Sequence, residues 1–364
     1  MFIITLVSFA RVGVSSDPPF VIQGFQLTTN GACAITWSTF PGFRNEVLYA
    51  DAPDQAWLSL PGTVSVASPS AFSLSYTDYP PSTATQRFYR VRVTRHKLVI
   101  SLVLDHSGSM KNNGGAQALP QAVDYFIDLF SENYDSASLV TFSQYATADV
   151  TMRTVFKSAI SNAAALPFPG SFTCTECGLT NALAQENTVV VPLGDDVIKI
   201  IVLFTDGMAN TFTYNFNCGM RNIDYNKGLY NITNGNNGSA GCTIPPNLDS
   251  IDSQTGAITP TVISSSSCDD MHYEAQRRAE RIAWLARNQG IFVYVIGLGV
   301  TNFPGECITL PVLDPVFLGN LANTTNSATY DPSQPSGAYT IAAIADNLAE
   351  VFQEIAQKAL SVSP

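Results

Sequence analysis

Leu98-Val-Ile-Ser-Leu-Val-Leu104-Asp105-His-Ser107-Gly-Ser109 is an apolar run that stops on an aspartate and then carries two hydroxyls at alternate residues. Such a run reads as a buried strand. Asp105, Ser107 and Ser109 then form a small oxygen cage at its end. Hard divalent cations such as Mg²⁺ prefer oxygen ligands in near-octahedral array and usually keep some water. A second run, Val197-Ile-Lys-Ile-Ile-Val-Leu-Phe204, ends in Thr205-Asp206-Gly207. Two buried strands therefore each deliver a carboxylate to their C-terminal ends, the edge at which open α/β sheets bind ligands.

Outward from these runs, strand and helix patterns alternate. Leu119, Val123, Phe126, Ile127 and Phe130 share one helical face, with Pro120 tolerated in a first turn. Leu139-Val-Thr-Phe142 and Ile291-Phe-Val-Tyr-Val-Ile296 read as strands, the second followed by Gly297-Leu-Gly299, and Tyr273 to Arg287 as a helix. A last helix sets Ile341, Ile344, Ala345, Leu348, Val351, Phe352 and Ile355 on one face, with Thr340 as its N-cap. The alternation predicts an α/β fold over residues 98–360, a doubly wound, mostly parallel sheet flanked by helices. One segment breaks it. Residues 208–268 show no periodicity and hold Asn234-Gly-Asn-Asn-Gly238, Pro245-Pro246, Ser264 to Ser267 and three cysteines. This insertion leaves directly after Asp206. It reads either as a structureless segment of no consequence or as a disulfide-pinned lid and ligand-binding rim over the oxygen cage.

Residues 20–94 read as a smaller all-β sandwich. Cys33-Ala-Ile35-Thr-Trp37, Phe72-Ser-Leu74-Ser-Tyr76 and Tyr89-Arg-Val91-Arg-Val93 alternate, with turns at Pro41-Gly42, Pro61-Gly62 and Pro80-Pro81. Arg90 and Arg92 are expected to face water. Residues 1–19 are apolar at first, lack a basic start, and read either as an atypical signal segment or as an edge strand.

The 364 residues are 46% hydrophobic and 13% charged, with a net charge of -11. That balance argues against nucleic acid or anionic lipid as partner. No stretch reaches the roughly 18 to 20 apolar residues of a membrane helix. Of seven cysteines, Cys174, Cys177, Cys218, Cys242, Cys268 and Cys307 are disulfide candidates, which implies an oxidising, extracytoplasmic compartment. Cys174-Thr-Glu-Cys177 has redox or zinc spacing, but no second pair or histidine stands near it in sequence. Asn231-Ile-Thr, Asn237-Gly-Ser and Asn323-Thr-Thr have the form of glycosylation acceptors and are expected in exposed loops.

Leu102-Val-Leu-Asp105-His-Ser107-Gly-Ser109-Met110, then Thr173-Cys-Thr-Glu-Cys-Gly178-Leu179, then Leu203-Phe-Thr-Asp206-Gly207, resembles the von Willebrand factor A domain and its metal-ion-dependent adhesion site (MIDAS). The resemblance is to bacterial surface and pilus-assembly members of that family. It implies that Ser107 and Ser109 ligate the cation through their hydroxyls and Asp105 directly or through water. It further implies that Thr173 ligates in the ligand-bound form and that Asp206 holds a metal-bound water. Thr175 and Thr180 stand near, but Thr173 matches the threonine that leads the family's loop. Cysteines in that loop depart from the family pattern. His106 is expected to face solvent rather than ligate. Residues 20–94 resemble a fibronectin type III module.

The implied function is a non-enzymatic, divalent-metal-dependent protein-binding module for adhesion or surface assembly, secreted or on the cell surface. The implied cofactor is Mg²⁺, with Mn²⁺ or Ca²⁺ as alternatives, and the implied partner is a protein that completes the coordination with an Asp or Glu carboxylate. One alternative is a structural subunit of a surface fibre or pilus with a stabilising metal. The other is a thiol-redox enzyme using Cys174 and Cys177. The chain has three histidines and lacks HExxH, Gly-x-Ser-x-Gly and GxxxxGK[ST].

Overall fold

The computed structural model describes residues 21–28, 31–39, 43–52, 54–63, 65–66, 73–81, 86–94, 96–112, 114–167, 172–191, 197–224, 228–230, 241–299 and 313–360. The segment 1–19, Pro41-Gly42, Phe72, Asn231, Asn237 and Cys307 lie outside them. The chain divides into two units, Met1–His96 with Ala356–Pro364, and Lys97–Ile355.

The first unit is antiparallel. Strands β1 (Ile22–Leu27), β2 (Cys33–Ser38), β3 (Arg44–Ala50), β4 (Leu58–Ser59), β5 (Ser65–Val66), β6 (Ser73–Asp78) and β7 (Phe88–Thr94) form two sheets. One has the order β1-β2-β6; in the other, β3 pairs with β4, β5 and β7. Strict alternation in β2 buries Cys33, Ile35 and Trp37, which share one apolar cluster with Val47, Tyr89 and Val91 of the other sheet. Trp37 donates its indole N–H to Asn45 Oδ1 at 2.9 Å, satisfying the one polar atom of a buried ring. Arg92 faces outward and pairs with Glu46, opposite buried Val91 and Val93.

The second unit contains β8 (Lys97–Asp105), α1 (Ser109–Asn112), α2 (Gly115–Asp128), β9 (Ser136–Phe142), β10 (Ala146–Arg153), α3 (Lys157–Ala164), α4 (Thr175–Asn187) and β11 (Val197–Thr205). Then follow β12 (Phe212–Phe216), β13 (Gly219–Asp224), β14 (Gly228–Tyr230), β15 (Asn247–Ile251) and β16 (Ile258–Ser264). The last elements are α5 (Cys268–Arg287), β17 (Phe292–Leu298), α6 (Pro315–Ala322), β18 (Tyr339–Ala342) and α7 (Leu348–Leu360), of which the part up to Ile355 belongs to this unit.

Among the described residues the central sheet has the order β10-β9-β8-β11-β17-β18, parallel except for the β10 edge. Strand β8 is paired on both edges, with β9 and β11, and helices cover both faces of the sheet, which explains its continuous apolar content. One face packs Val103, Val140, Ile201, Leu203 and Val295 against Leu179 and Ala182 of α4, Ala275 and Ala279 of α5, and Leu318 of α6. On the other face Phe204 meets Phe352 of α7 (centroids 5.6 Å apart), which meets Phe126 of α2 (6.0 Å). The fold is thus a doubly wound α/β sheet, and the C-terminal ends of β8 and β11 are neighbours, bringing Asp105 and Asp206 to one edge.

Several expectations are corrected. Of the two readings of 208–268, the structureless one does not hold for its described residues, which contain the antiparallel sheet β12-β13-β14 and the hairpin β15-β16. Each of these strands buries only one or two apolar residues (Phe212 and Phe216, Ile223, Leu229, Leu248, Ile263), too few to give a periodic signal. Thr340 caps no helix. It lies in β18, the parallel edge strand, and Ile341 and Ile344 are exposed; the helical face begins at Leu348 and includes buried Val351, Phe352 and Ile355. Helix α5 starts at Cys268, five residues before Tyr273, because the Ser267 hydroxyl accepts from Asp270 N and caps it. Pro120 is the sixth residue of α2, beyond its first turn.

Candidate metal centre

Three loops meet at the C-terminal edge of the sheet, after β8, before α4 and after β11. The β8 loop folds back on Asp105. Its Oδ1 accepts from Ser107 N at 2.8 Å, and its Oδ2 from the Thr205 hydroxyl at 2.7 Å. Asp105 is fully buried, and that desolvation raises its pKa above the ordinary carboxylate value. Ser107 Oγ lies 2.9 Å from Ser109 Oγ, and the Ser109 hydroxyl donates to Asp206 Oδ1 at 2.7 Å. Asp105, Ser107, Ser109 and Asp206 are therefore brought into one chain of contacts, with Thr205 bracing Asp105 from the neighbouring strand.

The three loops are fastened to one another through backbone. His106 N donates to Phe142 O and Cys174 N to Ser143 O, both at 2.7 Å. Consecutive carbonyls at the end of β9 thus hold the first two loops. Thr173 is held on both sides by Asn210, whose Oδ1 accepts from Thr173 N at 2.7 Å and whose N donates to Thr173 O at 3.0 Å. Thr173 is buried beside this edge, but among the described residues no hydrogen bond joins its hydroxyl to the Ser107–Ser109–Asp206 chain. Helix α4 leaves this loop tightly against the sheet: a Cβ at Gly178 would stand 2.8 Å from Phe142 Cδ1 and 2.9 Å from Val103 Cγ1. That close approach accounts for the Gly-Leu entry to the helix.

His106 is not solvent-facing. It is buried, which pushes its imidazole down to about 4 and keeps it neutral near pH 7. Two disulfides, Cys174–Cys177 and Cys218–Cys242, are formed, and Cys268 is also disulfide-bonded. Cys33 is a free, buried thiol. The Asn323 sequon is not in an exposed loop. Its side chain is fully buried, with Nδ2 donating to Asp331 O at 2.9 Å and Oδ1 accepting from Asp331 N at 2.8 Å.

The donor set fits a small hard cation. With Mg²⁺–O distances of about 2.0–2.1 Å, neighbouring octahedral ligands stand about 2.9 Å apart, and the two serine oxygens are 2.9 Å apart. Among the described residues no cluster of three or more His, Cys, Asp or Glu side chains stands ready for a metal; this edge is built of hydroxyls and two carboxylates, the ligand chemistry of Mg²⁺, Mn²⁺ or Ca²⁺. Sequence reasoning missed Thr205, Asn210 and Ser143. The signal for Thr205 was a hydroxyl closing an otherwise apolar strand; Asn210 and Ser143 carried none.

The family model of the von Willebrand factor type A domain matches residues 100–244, from the heart of β8 into the insertion. No match to a curated protein is found. Among solved structures, proximal thread matrix protein 1 from the mussel byssus is 18% identical (TM-score 0.39), with 73% of this chain and 46% of that chain covered. That protein has also been solved with a zinc-occupied MIDAS motif. The PilB minor pilin of Streptococcus sanguinis is 16% identical (TM-score 0.47), covering 95% of this chain and 80% of that one. The von Willebrand factor domain of the type V pili tip protein Mfa5 from Porphyromonas gingivalis is 16% identical (TM-score 0.42), with 72% and 95% covered. The present chain spans less than half the length of the mussel protein.

Proposed function

We propose that the second unit is a divalent-cation-dependent protein-binding module for adhesion or surface assembly, with Asp105, Ser107, Ser109, Thr173 and Asp206 holding Mg²⁺, or Mn²⁺ or Ca²⁺ in its place. The observation that carries this reading is the unbroken chain from Ser107 Oγ to Ser109 Oγ to Asp206 Oδ1 at the sheet edge. In it Ser109 donates its hydroxyl hydrogen bond to Asp206, so Ser107 is the donor to Ser109, and each hydroxyl oxygen keeps a lone pair for a cation. Asp105 is fixed by Ser107 N and Thr205 and holds the shape of the first loop. When bound, the cation supplies a positive centre that few direct carboxylates neutralise, and a carboxylate from a partner protein completes it.

Binding is favoured over thiol chemistry because Cys174 and Cys177 are bonded to each other and buried. The disulfides suit an extracytoplasmic setting. The test is titration calorimetry with Mg²⁺ and Mn²⁺ on the parent and on Asp105→Ala. Millimolar or tighter binding is expected in the parent, its loss in the variant, and a rise in melting temperature with Mg²⁺ in the parent alone. Absence of cation binding in the parent overturns the reading.

A further inference from the structure

The insertion does more than border the threonine loop; it grips it at three points. Asn210 brackets the Thr173 backbone from both sides, at 2.7 and 3.0 Å. Thr213 N, at the start of β12, donates to Glu176 Oε2 at 2.7 Å. Asn222 of β13, fully buried, accepts from the Thr213 hydroxyl at 3.2 Å and donates to Gln144 O and toward Cys177 Sγ at 3.5 Å. Between these points runs the Cys174–Cys177 disulfide, which closes the loop one residue after Thr173. Arg278 of α5 locks the far side, donating to Thr213 O at 2.9 Å and to Glu274 Oε1 at 2.7 Å.

We infer that Asn210, Asn222 and the Cys174–Cys177 disulfide are positioning groups that hold Thr173 at a fixed distance from the serine loop, and so set the preference of the site for Mg²⁺ over Ca²⁺. This rests on the cation-binding reading above. The physical reason is the difference between the two ions. Mg²⁺ demands near-octahedral oxygens at about 2.0–2.1 Å, whereas Ca²⁺ accepts six to eight oxygens at about 2.3–2.6 Å in flexible arrangements. A clamped loop favours the smaller ion; a loosened loop removes that advantage while leaving Ca²⁺ able to bind. Groups that orient ligands without touching the metal commonly change affinity by about 10- to 100-fold.

The experiment measures Mg²⁺ and Ca²⁺ affinities by calorimetry, with melting temperatures in cation-free buffer, for the full chain and six variants, Asp105→Ala among them. Asn210→Ala, Asn222→Ala and Cys174→Ser/Cys177→Ser are expected to lose about tenfold or more in Mg²⁺ affinity and less in Ca²⁺ affinity, so that the Mg²⁺/Ca²⁺ ratio falls. Asn210→Asp keeps the acceptor for Thr173 N and restores the ratio. Cys218→Ser/Cys242→Ser, which opens the other disulfide of the insertion, lowers the melting temperature and leaves the ratio unchanged. If folded Asn210→Ala and the Cys174/Cys177 variant keep the parental ratio, the clamp is wrong. If Asp105→Ala binds Mg²⁺ as the parent does, the cation site itself fails and the clamp with it; if only Asp105→Ala loses binding, the clamp alone fails.

Discussion

Glu186 is an acid where the sheet least accommodates one. It lies near the end of α4 against the middle of β8, where its Oε1 accepts from the Ser101 hydroxyl at 2.7 Å and Ser138 donates to Ser101 at 2.9 Å. Its Oε2 is buried without a partner, and burial pushes the carboxyl from its ordinary 4.5 up to about 8. The unfolded chain releases this proton near pH 4.5 while the folded chain keeps it to about pH 8. Stability therefore falls as pH rises across that window and levels off above it. Glu186→Gln should flatten this slope in urea titrations run from pH 4 to 9, and an unchanged slope would refute the assignment. Gly178 is as tightly constrained by space: Gly178→Ala should lower stability by about 1–3 kcal/mol, read by denaturant unfolding, because neither Phe142 nor Val103 has room to move. In the first unit, burial pushes the Cys33 thiol up to about 11, so it should resist maleimide at pH 7 in the folded chain and react once denaturant is added.

At the scale of elements, α6 ends on Asn323, the one described residue other than glycine with a left-handed backbone (φ 54°). Its amide joins the helix end to Asp331, Gln334 and Pro335. Asn323→Ala should cost about 2 kcal/mol or more, whereas Thr325→Ala, which destroys the same sequon at an exposed position, should leave the melting temperature unchanged. What was legible here divides along physical lines. Strands β8 and β11 were readable because burial on both faces demands continuous apolar sequence, and the loop residues Asp105, Ser107, Ser109 and Asp206 because they interrupt it. The insertion strands were not, since each is anchored by one or two side chains and by polar ties such as Asn222 to Gln144. β18 was read as helix because Ile341 and Ile344 happen to continue the spacing of α7; a four-residue edge strand carries too little sequence to contradict that. Thr173 was singled out through a resemblance to a family's threonine-led loop, while Asn210, which brackets its backbone, has no local signature at all.

For the whole molecule, the division at His96 and Lys97 has a thermodynamic reading. The cluster built on Trp37, Val47 and Tyr89 is complete within the first unit, and every proposed cation ligand belongs to the second. Differential scanning calorimetry should therefore show a transition that Mg²⁺ moves upward and a second that it leaves in place, and a uniform shift of both would argue against separate cores. The doubly wound arrangement was foreseeable from alternating runs, because a parallel sheet has few other ways to cover two faces. The tethers of the two loops to Phe142 and Ser143 were not, since backbone carbonyls leave no trace in sequence. Those tethers have a mechanical consequence. Consecutive peptide groups at the tip of β9 tie the serine and threonine loops to one strand end, so a force on that rim draws on both at once. A pull applied there along the strands would load the ladder bonds of neighbouring parallel strands in shear together instead of peeling them apart singly.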